Sequence, residues 1–302
     1  MPSNQSPKIS VISPSLNHGR FLRETIESVL AQSYKNIEHV IVDGASTDNT
    51  LEILKEYPHL KWISEKEEGD NKVLDAIWKG LHMSTGDYIV FLCVSDCMVD
   101  TNWFKKAVNA LEKDKEVSHV WGVVQAISEN GTLGKVWNAE RLSEEPPPQK
   151  KDFLPFWLAT AEGIECNAVF RRDIFEKCYT RNNPDEAYRF APGLGFNYYL
   201  NTQGYIPYFL PIITICGRIH AGQQGVKNDN LDAGSDAYFR DVKLYKKKLL
   251  AGKIRHYFRD GNSQIIGEVT PTDIAFYKKV MWKYRVRNSL QRKFHRFLKR
   301  II

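Results

Sequence analysis

Between residues 8 and 92 four short apolar runs of strand length alternate with three stretches of helical spacing, and this alternation fixes the class of fold. Residues 8–13 (Lys-Ile-Ser-Val-Ile-Ser) form the first run, which Pro14-Ser15-Leu16-Asn17-His18-Gly19 is expected to break. Over residues 20–32, Phe21, Leu22, Ile26, Val29 and Leu30 recur on one helical face. Residues 38–42 form a second strand, closed by Asp43-Gly44. A second helix starts near Thr50, where Asn49 and Glu52 have the spacing of a capping box, and Pro58 stops it. Residues 60–64 read as a third strand, and 71–82 as a helix with Val73, Leu74, Ile77 and Leu81 on one face. Residues 88–92 are continuously apolar, as in a strand buried on both faces. The order β-α-β-α-β-α-β implies a mostly parallel sheet with right-handed crossovers.

Each run ends in polar residues: Pro14-Ser15-Leu16-Asn17, then Asp43, Glu65 and Ser95-Asp96. A parallel sheet gathers these ends on one edge, where open α/β sheets bind ligands. Three carboxylates there suit a ligand rich in hydrogen-bond donors, a cation, or both. Asp96 has two readings: a ligand for a divalent ion and its phosphates, or the N-cap of a helix near residues 102–111. Neither Gly-x-Gly-x-x-Gly nor Gly-x-x-x-x-Gly-Lys-Ser/Thr occurs, so a Rossmann dinucleotide site and a P-loop are unsupported.

The apolar fraction of 42% and charged fraction of 26% are those of a globular protein. No apolar run approaches the roughly 20 residues that span a bilayer. Residues 1–8 are polar and carry no signal-peptide core, so a cytoplasmic location is expected. The five cysteines (93, 97, 166, 178 and 216) are odd in number and irregularly spaced, which fits reduced thiols. The net charge of +6 is uneven: residues 277–300 hold ten Lys or Arg and no acid, leaving −4 for the rest.

Further on, the sequence predicts a helix at 102–111, a strand at 117–126 and a turn at Asn130-Gly131. Pro146-Pro147-Pro148 reads as an exposed loop or hinge, and Gly193-Leu194-Gly195 as a flexible loop. Two units are expected, a body at 1–227 and a basic helical extension at 228–302, with helices at 233–250 and 272–302. In the last helix Phe276, Val280, Tyr284, Leu290, Phe294, Leu298 and Ile301 share one broad face. An acid-free amphipathic helix suits an anionic membrane surface. Packing on the acidic body or on a second copy, as in a homodimer, is the other reading, with nucleic acid weaker.

The residues also carry a family resemblance. Lys8-Ile-Ser-Val-Ile-Ser-Pro-Ser-Leu-Asn17, Ser28-Val-Leu-Ala-Gln-Ser-Tyr34 and Ile41-Val-Asp-Gly-Ala-Ser-Thr-Asp-Asn-Thr50 resemble the opening of the family 2 glycosyltransferases, which have the GT-A fold. Ser64-Glu65, Gly69, Leu74-Asp75-Ala76, Lys79-Gly80 and Ser84-Thr-Gly-Asp87 follow in the family's order. Near the middle, Arg171-Arg-Asp-Ile-Phe-Glu-Lys177 is similar again.

The resemblance implies a nucleotide-sugar transferase. Asp43 would hold the nucleotide base, with Pro14, Ser15 and Asn17 lining the pocket and Glu65 and Asp75 nearby. Ser95 and Asp96 would meet the ribose and diphosphate, and Asp96 with His220 would bind Mn²⁺ or Mg²⁺. Partners would be a nucleotide-diphosphate sugar donor and a glycan or lipid-linked acceptor of surface polysaccharide synthesis. Two positions depart from the family pattern. Ser95 stands where the first of two aspartates is usual, and the general-base position falls at Gly193 or Gly195. The nearest carboxylates, Asp185 and Glu186, are the candidate bases; Glu162 and Glu165 are others. The alternative is a GT-A scaffold that binds nucleotide or glycan without transfer.

Overall fold

The computed structural model describes residues 6–68, 71–136, 142, 147–161, 168–179, 192–220 and 230–280. The first half follows the alternation: β1 (Ile9–Ser15), α1 (Gly19–Leu30), β2 (Ile37–Asp43), α2 (Thr50–Lys55), β3 (Lys61–Ser64), α3 (Lys72–Met83) and β4 (Tyr88–Phe91). Then come β5 (Cys97–Met98), α4 (Trp103–Lys113), β6 (His119–Ser128), β7 (Leu133–Val136), α5 (Phe153–Thr160), β8 (Val169–Arg171), α6 (Arg172–Cys178), α7 (Pro192–Gln203) and β9 (Pro207–Ile219). The last part holds α8 (Asn230–Leu250), the hairpin β10 (Tyr257–Arg259) and β11 (Ile265–Glu268), and helical residues 271–280.

The strands form one mixed sheet in the order β3-β2-β1-β4-β8-β6-β9-β5, with β7 on the side of β6. β3, β2, β1 and β4 are mutually parallel, β8 runs against β4 and β6, and β9 runs parallel to β6. Side chains alternate between the two faces along the inner strands, and nearly all are buried. Ile9, Val11, Tyr88 and Val90 face Trp103 and Phe104 of α4. Ile12 and Ile89 face the other way, toward Leu74, Ile77 and Leu81 of α3, in the cluster that also holds Trp157 and Phe170. Both faces are thus covered, which is why the strands read as unbroken apolar runs. Gly80 lets α3 lie directly on β1: a Cβ there would come within 2.4 Å of Ile12.

Residues past 228 hold more than helices, since β10 and β11 stand between α8 and residues 271–280. Ala237, Tyr238 and Val242 of α8, Phe258 of β10 and Ile274 join the same apolar cluster as Trp157. The Trp157 indole N–H donates to the Tyr238 hydroxyl at 2.9 Å.

Four local expectations are corrected. Pro14 does not break β1. It stays in register with Val42, beyond the point where β4 ceases to pair with β1 at Ile12, so fewer ladder donors are needed there. Asn49 makes no side-chain cap; Asp48 takes that part, accepting Thr50 N–H at 3.0 Å and, through its other oxygen, Gly19 N–H at 3.0 Å. Asp96 is not the N-cap of α4: β5 intervenes, and Asp100 accepts the Asn102 N–H at 2.8 Å. Gly193-Leu194-Gly195 is the first turn of α7, not a loop. Pro192 costs little at a helix start, and Phe196 and Leu200 seat the helix in the core despite the glycines.

Candidate functional site

The ends of β1 and β2 are laced together. Gly44 N–H donates to Ser15 O at 2.8 Å, Asn17 N–H to Ser46 Oγ at 2.7 Å, and Thr47 N–H to Asn17 Oδ1 at 2.8 Å. Asp43 is fully buried beneath this loop. It accepts Ser46 N–H at 2.9 Å and Ser64 Oγ–H at 2.7 Å, and also the Ser46 hydroxyl. Asn17 and Ala45 take the left-handed conformation (φ 54° and 60°), and Leu16 is 43% exposed beside them. Such strain persists only where surrounding bonds over-determine it, and it gathers at binding sites.

The end of β4 carries a third strained residue, Ser95 (φ 142°). Asp96, half-buried, accepts the Arg218 backbone N–H on Oδ1 at 2.9 Å, and its carbonyl accepts Thr25 Oγ–H at 2.7 Å. Burial pushes the Asp96 carboxyl up to about 6, against the pull of the Arg218 N–H. Arg218 itself is buried, with its guanidinium over the Phe21 ring at 4.8 Å. His220 follows and packs edge-on to His18 (5.2 Å between centroids) and on Phe21 (5.0 Å).

Glu65 and Asp75 meet at one cation of the same chain. Lys79 Nζ lies 2.9 Å from Glu65, 3.0 Å from Glu67 and 3.4 Å from Asp75. For Glu65, one of the three strand-end carboxylates, the donor-rich partner is in part this lysine. Burial, together with Asp75 beside it, raises the Glu67 carboxyl to about 7.

The structure thus brings Pro14, Ser15, Asn17 and Asp43 to one linked pair of loops, and Glu65 with Asp75 to Lys79. It sets Ser95 and Asp96 on a turn held by Arg218. Asp185, Glu186, Glu162 and Glu165 lie outside the described residues. Thr25, Ser46, Ser64 and Arg218 had no expected role. Thr25 was legible only as a polar residue on the apolar stripe of α1.

Among the described residues no group of three or more His, Cys, Asp or Glu could hold a metal ion alone. The hard oxygen of Asp96 fits Mg²⁺ or Mn²⁺ in one arrangement, with diphosphate and water supplying most of the other ligands.

Residues 10–179, more than half of the chain, match the sequence model of glycosyl transferase family 2. The chain belongs to that family. It is 27% identical over 180 residues to the uncharacterized glycosyltransferase YibD of Escherichia coli (strain K12), covering 58% of this chain and 51% of that protein. To the putative glycosyltransferase EpsE of Bacillus subtilis (strain 168) it is 36% identical over 136 residues, 43% of this chain and 48% of the relative. The chain therefore spans about half the length of these curated relatives.

Among solved structures, S. aureus TarS 1-349 in complex with UDP superposes with a TM-score of 0.55 at 16% identity, over 82% of this chain and 70% of TarS. Mannosyltransferase PcManGT from Pyrobaculum calidifontis, in complex with GDP-Man and Mn²⁺, gives 0.55 at 17% identity over the same shares. At such identity the likeness establishes the GT-A fold. Among the described residues no helix is long and apolar enough to cross a membrane.

Proposed function

We propose that this glycosyltransferase moves a hexose or related sugar, with inversion, from a nucleotide-diphosphate donor to a glycan or lipid-linked acceptor of surface polysaccharide synthesis. The observation that carries the donor class is the convergence on one sheet edge of three strained turns at the ends of β1, β2 and β4, each tied to a neighbour by hydrogen bonds. Solved relatives hold UDP, UDP-GlcNAc or GDP-Man.

In this reading the nucleoside lies against the Ser15–Asn17 and Gly44–Ser46 backbone, which Asp43 stiffens from below. The diphosphate lies over the Ser95-Asp96 turn. A divalent ion, when bound, stabilises charge on the departing diphosphate. Asp96 orients that end of the donor. Inversion calls for a base on the acceptor side of the sugar, and Asp185 or Glu186 takes that part. His220, buried and packed on the same Phe21 ring as Arg218, is the second candidate ligand for the divalent ion.

The tail from 272 onward supplies contact with an anionic membrane on its cytoplasmic face, where lipid-linked acceptors are extended. A binding or scaffold protein is the second reading, favoured by Gly193 and Gly195 in α7 where the base is expected. The test is release of nucleoside diphosphate from UDP-, GDP- and dTDP-sugars by the full chain with Mn²⁺ and candidate acceptors. Turnover lost in Asp96→Asn supports transfer. Tight nucleotide binding with no turnover from any donor supports the scaffold.

A further inference from the structure

Arg218 is 2% exposed and joins three elements. Its Nε–H donates to Ser95 O at 2.9 Å, and Nη1–H to Ser128 O at 3.0 Å and Glu129 O at 3.4 Å. Nη2 pairs with the Glu24 carboxylate on α1, and the guanidinium lies on the Phe21 ring. Its own backbone N–H donates to Asp96 Oδ1. One residue therefore touches both members of the turn after β4, once through its side chain and once through its main chain.

A buried ion pair is a poor source of stability, because desolvation cancels most of the attraction. What the guanidinium offers is a rigid fork of donors in fixed directions. Here the fork spans the carboxyl ends of β4 and β6 and the first turns of α1. Ser95 lies at φ 142°, a strained conformation that needs outside support. That support comes from two sides. Arg218 holds Ser95 O, and Thr25 Oγ, fully buried on α1, meets Asp96 O at 2.7 Å and Ser95 N–H at 3.4 Å. Directly after the turn, Cys97 and Met98 pair with Cys216 and Ile215, just before Arg218 in β9. The turn cannot relax without moving β9.

We propose that Arg218 is the positioning residue of the donor site: without touching the donor, it holds the Ser95-Asp96 turn so that the single carboxylate stands ready for the metal–diphosphate end. This rests on the reading of Asp96 as the diphosphate-side ligand. Among the described residues the fork's hydrogen bonds go to Ser95, Ser128, Glu129 and Glu24 rather than to the β1 and β2 loops, so the nucleoside half is expected to keep its affinity when the fork is lost.

The test uses the full chain and whichever of UDP or GDP the native protein binds, titrated with and without Mn²⁺, and with Mn²⁺ alone followed by its electron paramagnetic resonance signal. Near-ultraviolet circular dichroism reports folding. Arg218→Lys keeps the charge and loses the fork; Thr25→Val removes the opposite brace and guards against misfolding of the first variant. Each is expected to weaken the Mn²⁺-dependent part of nucleotide affinity about tenfold or more, with Mn²⁺-free affinity kept within about twofold. Glu24→Gln, which frees only the far arm, is expected to stay near the native values. Methylguanidinium added to Arg218→Ala is expected to restore part of the loss.

Equal losses with and without Mn²⁺ in folded variants would make Arg218 a core residue only and overturn the proposal. So would native Mn²⁺-dependence in both variants. A native protein that binds neither nucleotide, with or without Mn²⁺, removes the donor-site reading and this proposal together, an outcome distinct from the other two.

Discussion

The carboxylate of Asp96 accepts its backbone hydrogen bond from Arg218, 122 positions further along the chain, at 2.9 Å. The end of β4 is therefore oriented by β9. Asp96→Asn keeps an oxygen for that N–H while removing the charge, so the fold is expected to hold. In nucleotide titrations the Mn²⁺-dependent affinity should fall about tenfold or more, near 1.4 kcal/mol at least. Unchanged Mn²⁺-dependence would remove Asp96 from the site.

Asp43 acts by support from below. Asp43→Ala strands three donors, the Ser46 amide and the Ser46 and Ser64 hydroxyls, in a buried place. The expected loss is roughly 2–4 kcal/mol in urea unfolding. Nucleotide affinity should fall with and without Mn²⁺ alike, unlike the Asp96 variant. A variant of native stability would show that the loop holds itself.

His39, His119 and His256 are buried, each with one ring nitrogen bonded to a hydroxyl: Ser13 at 2.9 Å, Ser118 at 2.7 Å and Tyr245 at 2.9 Å. Burial lowers them to about 3, 3 and 4 from 6.5. They are neutral in the fold and charge on unfolding below pH 6.5, so their contribution is full above that pH. It is lost as pH falls toward the folded values. Glu67 and Asp96, raised to about 7 and 6, act in the opposite sense over part of this range, so the clean measure is a difference. The stability gap between native protein and His119→Asn should shrink by about 1.4 kcal/mol per pH unit below 6.5. A gap constant from pH 7.5 to 5 in urea unfolding would contradict this.

The alternation over residues 8–92 was readable because each strand and helix there carries its own period. Asp43 and Asp96 were readable as candidate residues because each stands where such a strand ends. Arg218 was not, since its role depends on β5, two residues long, pairing with β9; two residues show no period. Lys79 was half legible: Asp75 stands four residues before it, but Glu65 and Glu67 reach it only through the fold of the loop. The β10–β11 hairpin fell below the length at which alternation can be seen. The first turn of α7 was misread because burial of Phe196 and Leu200 overrides the low helix propensity of two glycines.

The tail up to residue 280 packs on the body. Ile274 is buried and Tyr277 meets Phe156 at 6.1 Å between centroids, so residues up to 280 belong to the fold. Deleting residues 281–302 should leave thermal unfolding unchanged and sharply reduce flotation with phosphatidylglycerol vesicles. Added salt should weaken the flotation of the intact chain. Equal flotation of both forms would reject the tail as an anchor.

The most direct measurement is a crystal structure of the full chain with UDP or GDP and Mn²⁺. The expected result places the base against Ser15, Asn17 and the Gly44-Ala45-Ser46 loop, with the diphosphate and ion at Asp96. A nucleotide bound elsewhere, or a diphosphate turned away from Asp96, would contradict the donor site as described.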